Sequence, residues 1–360
     1  MAQKSYNEAL ILLHSLNDHF SLIFWLLELG LLARDVMDYR HSEALFTESL
    51  TLARSQSERL GIPYALQRLG FLKLFLGEFE SSADYLQQAI GLHQKNNDVF
   101  HIAQNMAMLA TVHTFLGRLP EARECIEESL AVTEAIPGIL PFVLVMQSRI
   151  NIWTGKYEGA QITINRFFSV FDGMDEPTEH WDVTPYGPSG WLALVQQDLA
   201  IARENLRKYV EHNRQFNTSE AQEWTAIHQA TLSRAEWRLG QRATARQHLW
   251  EALAVAVNIR AFITLLHVLP IIPVLLAGEE DARHKIRAIE IYALAHNHPF
   301  IANCQFFYDI AGKDVEAVEA DLPADAVTAA KTRGKALDFW ETAEQLLQEL
   351  TELGWAEQVD

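Results

Sequence analysis

Residues 117–130 read GRLPEARECIEESL. A glycine opens the stretch, Ala122 follows five residues later, and Ile126, Ser129 and Leu130 continue at the spacing of one helix face. By itself this is an ordinary amphipathic helix. The same arrangement recurs about every 40 residues along the chain. With Gly117 as the anchor, the equivalent positions are Met37, Gly77, Gly155, Gln197 and Gly240. Five residues past each anchor stand Ser42, Ser82, Ala122, Ala160, Ala202 and Ala245, all small. Nine past stand Phe46, Leu86, Ile126, Ile164, Leu206 and Leu249, all bulky and apolar. Twelve past stand Ser49, Ala89, Ser129, Phe167, Tyr209 and Ala252. Seven before each anchor stand Gly30, Gly70, Ala110, Ser148, Gly190 and Ser233, again all small.

The pattern predicts two antiparallel helices per unit, helix A before the anchor and helix B after it. Small residues on both let the helices approach closely, and the bulky residue on B fills the space beside them. The anchor glycine suits the tight turn between them. Each hairpin leaves an apolar face that only the next hairpin covers, so the units stack.

These are the positions of the tetratricopeptide repeat, which the chain resembles over roughly residues 4–350, with a period near 40 rather than the usual 34. The long period resembles the C-terminal arrays of bacterial MalT-like, ATP-dependent transcriptional regulators and signalling ATPases. The segment LPADAVTAAKTRGKALDFWETAEQLLQEL (322–350) resembles their closing helices. The resemblance implies an all-α, right-handed α-α superhelix of about seven helical hairpins with C-terminal capping helices.

Three segments follow from this reading. Residues 1–19, with Tyr6, Ala9, Leu13 and Leu16 on one face, form a helix B without its helix A. This is either a cap or a sign that the chain is a piece of a longer protein. Residues 20–298 form the array, and residues 299–360 read as shorter capping helices. One irregularity interrupts the array: 172–190, DGMDEPTEHWDVTPYGPSG, is acidic and proline-bearing. Pro185 and Pro188 do not fit a regular helix interior, so helix A of the fifth unit is expected to start near Ser189. The seventh unit carries Pro270 and Pro273 in its helix A, and its helix B falls near 281–295.

Composition narrows the function. The net charge is −18, and a duplex-binding surface needs clustered cations, so direct nucleic-acid binding is not expected. The basic clusters at Arg207-Lys208, 283–287 and 331–335 lie among acids and read as solvated faces. The apolar run 261–278 holds His267, Pro270 and Pro273 and continues the repeat, so no membrane span is expected. No signal peptide is legible, and the cytoplasm is the expected compartment. Cys125 and Cys304, far apart in sequence and in helical context, read as reduced, structural thiols.

No catalytic signature is present. HExxH is absent, and His296 and His298 read as a helix-ending turn rather than a metal site. His180-Trp181-Asp182 has no companion nucleophile. GKYEG and GRLPE lack the ending of a phosphate-binding loop. No enzyme activity, cofactor or metal is expected.

The resemblance implies that helix A lines a concave groove. Its inward positions hold Arg34, then Tyr64, Gln67 and Phe71, then Gln104 and Thr111. Further along stand Arg149, Trp153 and Trp191, and finally Arg234, Trp237 and Arg238. In so acidic a chain this strip keeps arginines and aromatics, which suit a protein or peptide segment with acidic groups. The expected function is a protein-interaction scaffold, with homodimers possible. The alternative is a regulatory module of a transcriptional or signalling ATPase that senses a small molecule or a partner. That reading places a pocket near His180, Trp181, Tyr186 and Trp191.

Overall fold

A computed structural model of the chain describes residues 18–133, 136–172, 183–216, 218–279 and 281–356. Every regular element among them is helical. The hairpins run α1 (His19–Asp35) with α2 (Tyr39–Ser55), α3 (Gly61–Phe75) with α4 (Phe79–Lys95), and α5 (Val99–Phe115) with α6 (Leu119–Thr133). They continue with α7 (Leu140–Trp153) and α8 (Tyr157–Phe171), α9 (Tyr186–Val195) and α10 (Leu199–Asn213), and α11 (Ser219–Arg238) and α12 (Arg242–Asn258). Two compact units divide the chain, Met1–Met146 with Asn217–Glu220, and Gln147–Phe216 with Ala221–Asp360.

Each helix A ends in the same way. The anchors Met37, Gly77, Gly117, Gly155, Gln197 and Gly240 all lie in the left-handed region, with φ between 65° and 82°. The amide after each anchor donates to a carbonyl in the last turn, as Asp38 N to Ala33 O (2.9 Å) and Arg118 N to His113 O (2.8 Å). This is the Schellman closure, which satisfies carbonyls that the helix end leaves open. Glycine adopts this conformation freely, whereas Met37 and Gln197 hold it against a steric cost.

The small and bulky positions meet as the spacing predicts. Ala122, Ala160, Ala202 and Ala245 are fully buried, and so are Leu86, Leu206 and Leu249. A Cβ on Gly70 would stand 2.9 Å from Leu86, and one on Gly190 would stand 2.6 Å from Leu206. The helices therefore approach as closely as a missing side chain allows. Each bulky side chain set there contributes about 1.5–3 kcal/mol through burial. Buried serines add fixed bonds: Ser82 Oγ donates to Gly70 O (2.7 Å), Ser49 Oγ to Ile23 O (2.9 Å) and Ser129 Oγ to Ala103 O (2.7 Å). The last two are the same bond in two different hairpins.

The irregular segments differ in detail from the expected ones. Helix α9 starts at Tyr186, not near Ser189, with Pro188 in its first turn. The first four amides of a helix have no intrahelical acceptor, so the proline costs no bond there. The seventh helix A is broken by Pro270 into α13 (Phe262–Val268) and α14 (Ile272–Leu276), and its helix B is α15 (Ala282–His296). After α15 come α16 (Pro299–Asn303) and α17 (Gln305–Phe307), which passes through a π-helical turn at Tyr308–Gly312 into α18 (Lys313–Ala320). The described chain closes with α19 (Ala324–Lys335) and α20 (Phe339–Glu352). No helix among the described residues is long and apolar enough to cross a membrane. Cys125 and Cys304 are free thiols. Of the partial repeat expected at the N-terminus, residues 1–17 lie outside the described residues.

Candidate functional site

In the first unit the inward positions of α1, α3 and α5 form a polar and aromatic strip. Arg34, in the last turn of α1, pairs with Glu220 (3.1 Å) and Asp35 (3.2 Å), and its guanidinium lies 5.6 Å from the Phe75 ring centre. Burial opposes its charge, but the two carboxylates outweigh burial and hold its pKa above the usual value. Gln67 donates to Gln104 Oε1 at 2.6 Å, and the Tyr64 hydroxyl donates to Asp98 at 3.2 Å. Thr111 is buried, with its hydroxyl turned back to Ala107 O (3.1 Å), and so is Gln67. Phe71, Tyr64, Gln104 and Arg34 remain half-buried.

The second unit corrects the expected strip. Arg149, Trp153, Trp191 and Arg234 are no more than 2 % exposed, so they are core rather than open groove contacts. Trp153 packs on Trp191 (6.0 Å between ring centres), His267 (5.7 Å) and Phe300 (5.3 Å). Trp191 stacks on His228 at 4.6 Å, meets Phe306 at 5.6 Å, and donates its indole N–H to Thr231 Oγ1 at 2.9 Å. The Arg149 guanidinium lies 3.7 Å over the Trp224 ring. The physical reason is the C-terminal segment. Residues 300–314 lie against the faces of α7, α9 and α11, with Asp309 accepting from Tyr157 and Asp314 pairing with Arg234.

Three of the expected residues do meet at one pocket, with Arg238 half-buried and Arg234 and Trp237 forming its buried walls. Arg234, Trp237 and Arg238 line a pocket of about 370 Å³ with Arg242, Val274, Ala277, Gly278, Asp314 and Val318. The Arg242 guanidinium stands 3.6 Å over the Trp237 ring, with Arg246 at 5.7 Å. Arg234 donates through Nε to Ile310 O (2.6 Å) and pairs with Asp314, while Arg238 donates to Gln197. Burial first, with Arg238 and Arg242 adding to it, pulls the Arg234 pKa down to about 10, against the opposing pull of Asp314. Cationic charge thus exceeds its counter-charge at this pocket. Sequence reasoning missed Arg242, because it lies on helix B rather than on the strip.

Of the residues expected near the fifth unit, His180 and Trp181 lie outside the described residues. Tyr186 packs edge-on against Phe168 (5.8 Å) and Phe171 (6.3 Å) under the Lys208 ammonium (5.5 Å). His298 caps α16 by accepting the Phe300 amide at 3.2 Å, the turn role expected of it. The basic clusters carry acidic partners: Arg207 has Glu204 and Glu211, Arg287 has Glu290 and Glu349, and Lys331 has Glu319.

Residues 104–136, which span most of α5 and α6, match the family model described as Tetratricopeptide repeat. By sequence the chain matches no curated protein. Among solved structures it is similar to BtubC from P. vanneervenii, at 18% identity and a TM-score of 0.49, covering 60% of this chain and 89% of that one. It is also similar to a signal transduction ATPase with numerous domains from Pyrococcus horikoshii, a protein with a tetratricopeptide repeat sensor. There the identity is 12% and the TM-score 0.49, with 92% of this chain and 54% of that one covered. The chain spans about half the length of that ATPase.

Proposed function

Taking the chain as the tetratricopeptide repeat array that its hairpins and the family match make it, we propose that it is an interaction scaffold for a protein or peptide segment with acidic side chains. The supporting observation is the pocket on α11. Its lining holds three arginines, one tryptophan and a single acid, in a chain whose net charge is −18. Arginine forks match carboxylates in two-point contacts, and an aromatic wall with Val274 and Val318 takes an adjoining apolar side chain. Asp314, held by Arg234 within the chain, exemplifies the contact an incoming carboxylate would make with Arg238 and Arg242.

The test is fluorescence anisotropy with a labelled peptide of alternating glutamates and leucines. We expect saturable binding that weakens at high salt, because exposed charge pairs are screened. Arg238→Glu with Arg242→Glu should weaken it at least about tenfold. Unchanged affinity in the double variant would reject the reading.

The pocket volume also falls in the range of small-molecule sites, which keeps the sensing alternative in view. That reading expects small dicarboxylates alone to raise the melting temperature and the same double variant to abolish the rise. The scaffold reading expects the peptide, not the dicarboxylate, to do so.

A further inference from the structure

Within the first unit, the turn between the second and third hairpins brings together three side chains that the strip does not use. His93 stands in the last turn of α4, Asp98 is the N-cap of α5, and His101 lies in the first turn of α5. His93 Nδ1 is 3.1 Å from Asp98 Oδ2, and His101 Nδ1 is 2.9 Å from both carboxylate oxygens. One ligand atom from each residue lies within 4.8 Å of the other two. The imidazoles are stacked at 5.0 Å and 14°, so both Nδ1 atoms face the same carboxylate. Tyr64 packs edge-on to both rings and donates its hydroxyl to Asp98 Oδ2 at 3.2 Å.

We propose that His93, Asp98 and His101 form a site for a zinc-class divalent cation. Two imidazole nitrogens and one carboxylate oxygen are the donors that zinc and its first-row neighbours prefer, whereas magnesium and calcium require oxygen ligands. Metal–ligand bonds near 2.1 Å in a tetrahedron set donors about 3.4 Å apart. The observed nitrogen–oxygen separations of 2.9–3.1 Å need to open by only a few tenths of an ångström. Tyr64 orients the carboxylate from outside the ligand set, the support such ligands ordinarily have. The His93 side chain is 1% exposed, while those of Asp98 and His101 are about a quarter exposed, so the cation is walled on one side and reached by water on the other. The ion ties the end of α4 to the start of α5 and so fixes one hairpin on the next.

One feature limits the affinity. Ligation through Nδ1 moves the His93 proton to Nε2, which is buried with no hydrogen-bond partner among the described residues. We therefore expect a dissociation constant of about micromolar order, weaker than that of structural zinc sites. No motif marks the site, since a histidine, an aspartate five residues later and a histidine three beyond it follow no metal-binding signature.

The full chain, stripped with chelator and desalted, is titrated with zinc chloride by calorimetry and melted with and without the metal. The expected result is one zinc per chain, a melting temperature raised by several degrees, and no shift with magnesium. His101→Ala and Asp98→Asn each weaken that binding at least about tenfold while the far-ultraviolet spectrum is kept, and His41→Ala, at an exposed histidine, leaves it unchanged. No saturable zinc binding, or binding that survives both His101→Ala and Asp98→Asn, overturns the proposal and leaves the cluster a hydrogen-bonded helix cap.

Discussion

The indole of Trp237 lies so close to Gly278 that a Cβ on the glycine would overlap Cζ2 of the ring. Both residues line the same pocket, so the glycine sets the position of the aromatic wall. Gly278→Val should displace the indole, cost about 1–3 kcal/mol of stability, and weaken binding of the acidic peptide. Anisotropy beside a urea melt checks both. Full affinity in Gly278→Val would mean that Trp237 takes no part in binding.

Ala122 is fully buried between the helices of the third hairpin. Ala122→Leu should overpack it and cost about 1–3 kcal/mol, read as a lower midpoint of chemical unfolding. The exposed Ile162, at 71%, is the control: Ile162→Ala should leave the midpoint almost unmoved.

Met37 and Gln197 occupy the left-handed turn position with φ of 65° and 67°, where the other anchors are glycine. A side chain there costs about 1–2 kcal/mol, and glycine returns about 0.5–1 kcal/mol of that as unfolded-chain entropy. Met37→Gly should stabilise the protein by about 0.5–1 kcal/mol at an unchanged denaturant slope, and Gln197→Gly by less, because it also loses the bond that its side chain accepts from Arg238. A lowered midpoint for Met37→Gly would show that its side chain makes compensating contacts.

His267 is fully buried among Trp153, Phe300 and Phe307, and burial brings its pKa from 6.5 to about 4. Its folded value is depressed, so the unfolded chain takes up the proton first. The stability contributed by the neutral ring is present above about pH 6.5 and is lost as pH falls toward 4. The loss is on the order of 3 kcal/mol. Urea midpoints measured across that interval should fall for the native chain and fall less for His267→Phe. An equal fall in both would assign the acid sensitivity elsewhere, with the buried His228 and the half-buried His298 next in line.

The hairpins were legible because their contacts are local. Gly70 and Leu86, or Gly190 and Leu206, meet across one tight turn, so a fixed spacing in sequence is a fixed contact in space. The fate of Trp153 and Trp191 was not legible for the opposite reason. Their partners Phe300 and Phe306 come from more than a hundred residues away, in a segment where the repeat spacing has lapsed. Positions that face outward within a single hairpin became core once that segment folded back on them. In the first unit Arg34 is likewise met from far along the chain, by Glu220, while Tyr64 and Phe71 stayed half-buried. The His93–Asp98–His101 cluster was hidden because its members serve a turn, and turn residues attract no attention as ligands.

The π-helical turn at Tyr308–Gly312 holds one residue more than an α-helical turn needs. In a strict α-helix an added residue would rotate everything after it by about 100° about the axis; the wider turn takes the residue up locally and keeps the phase of the helix that follows. Both partners of Arg234 come from this stretch: Ile310 within the turn supplies a carbonyl, and Asp314 just beyond it supplies the carboxylate. An insertion of one residue can thus act as a spacer, loosening one turn of backbone beside a buried cation while leaving the helix beyond it in step.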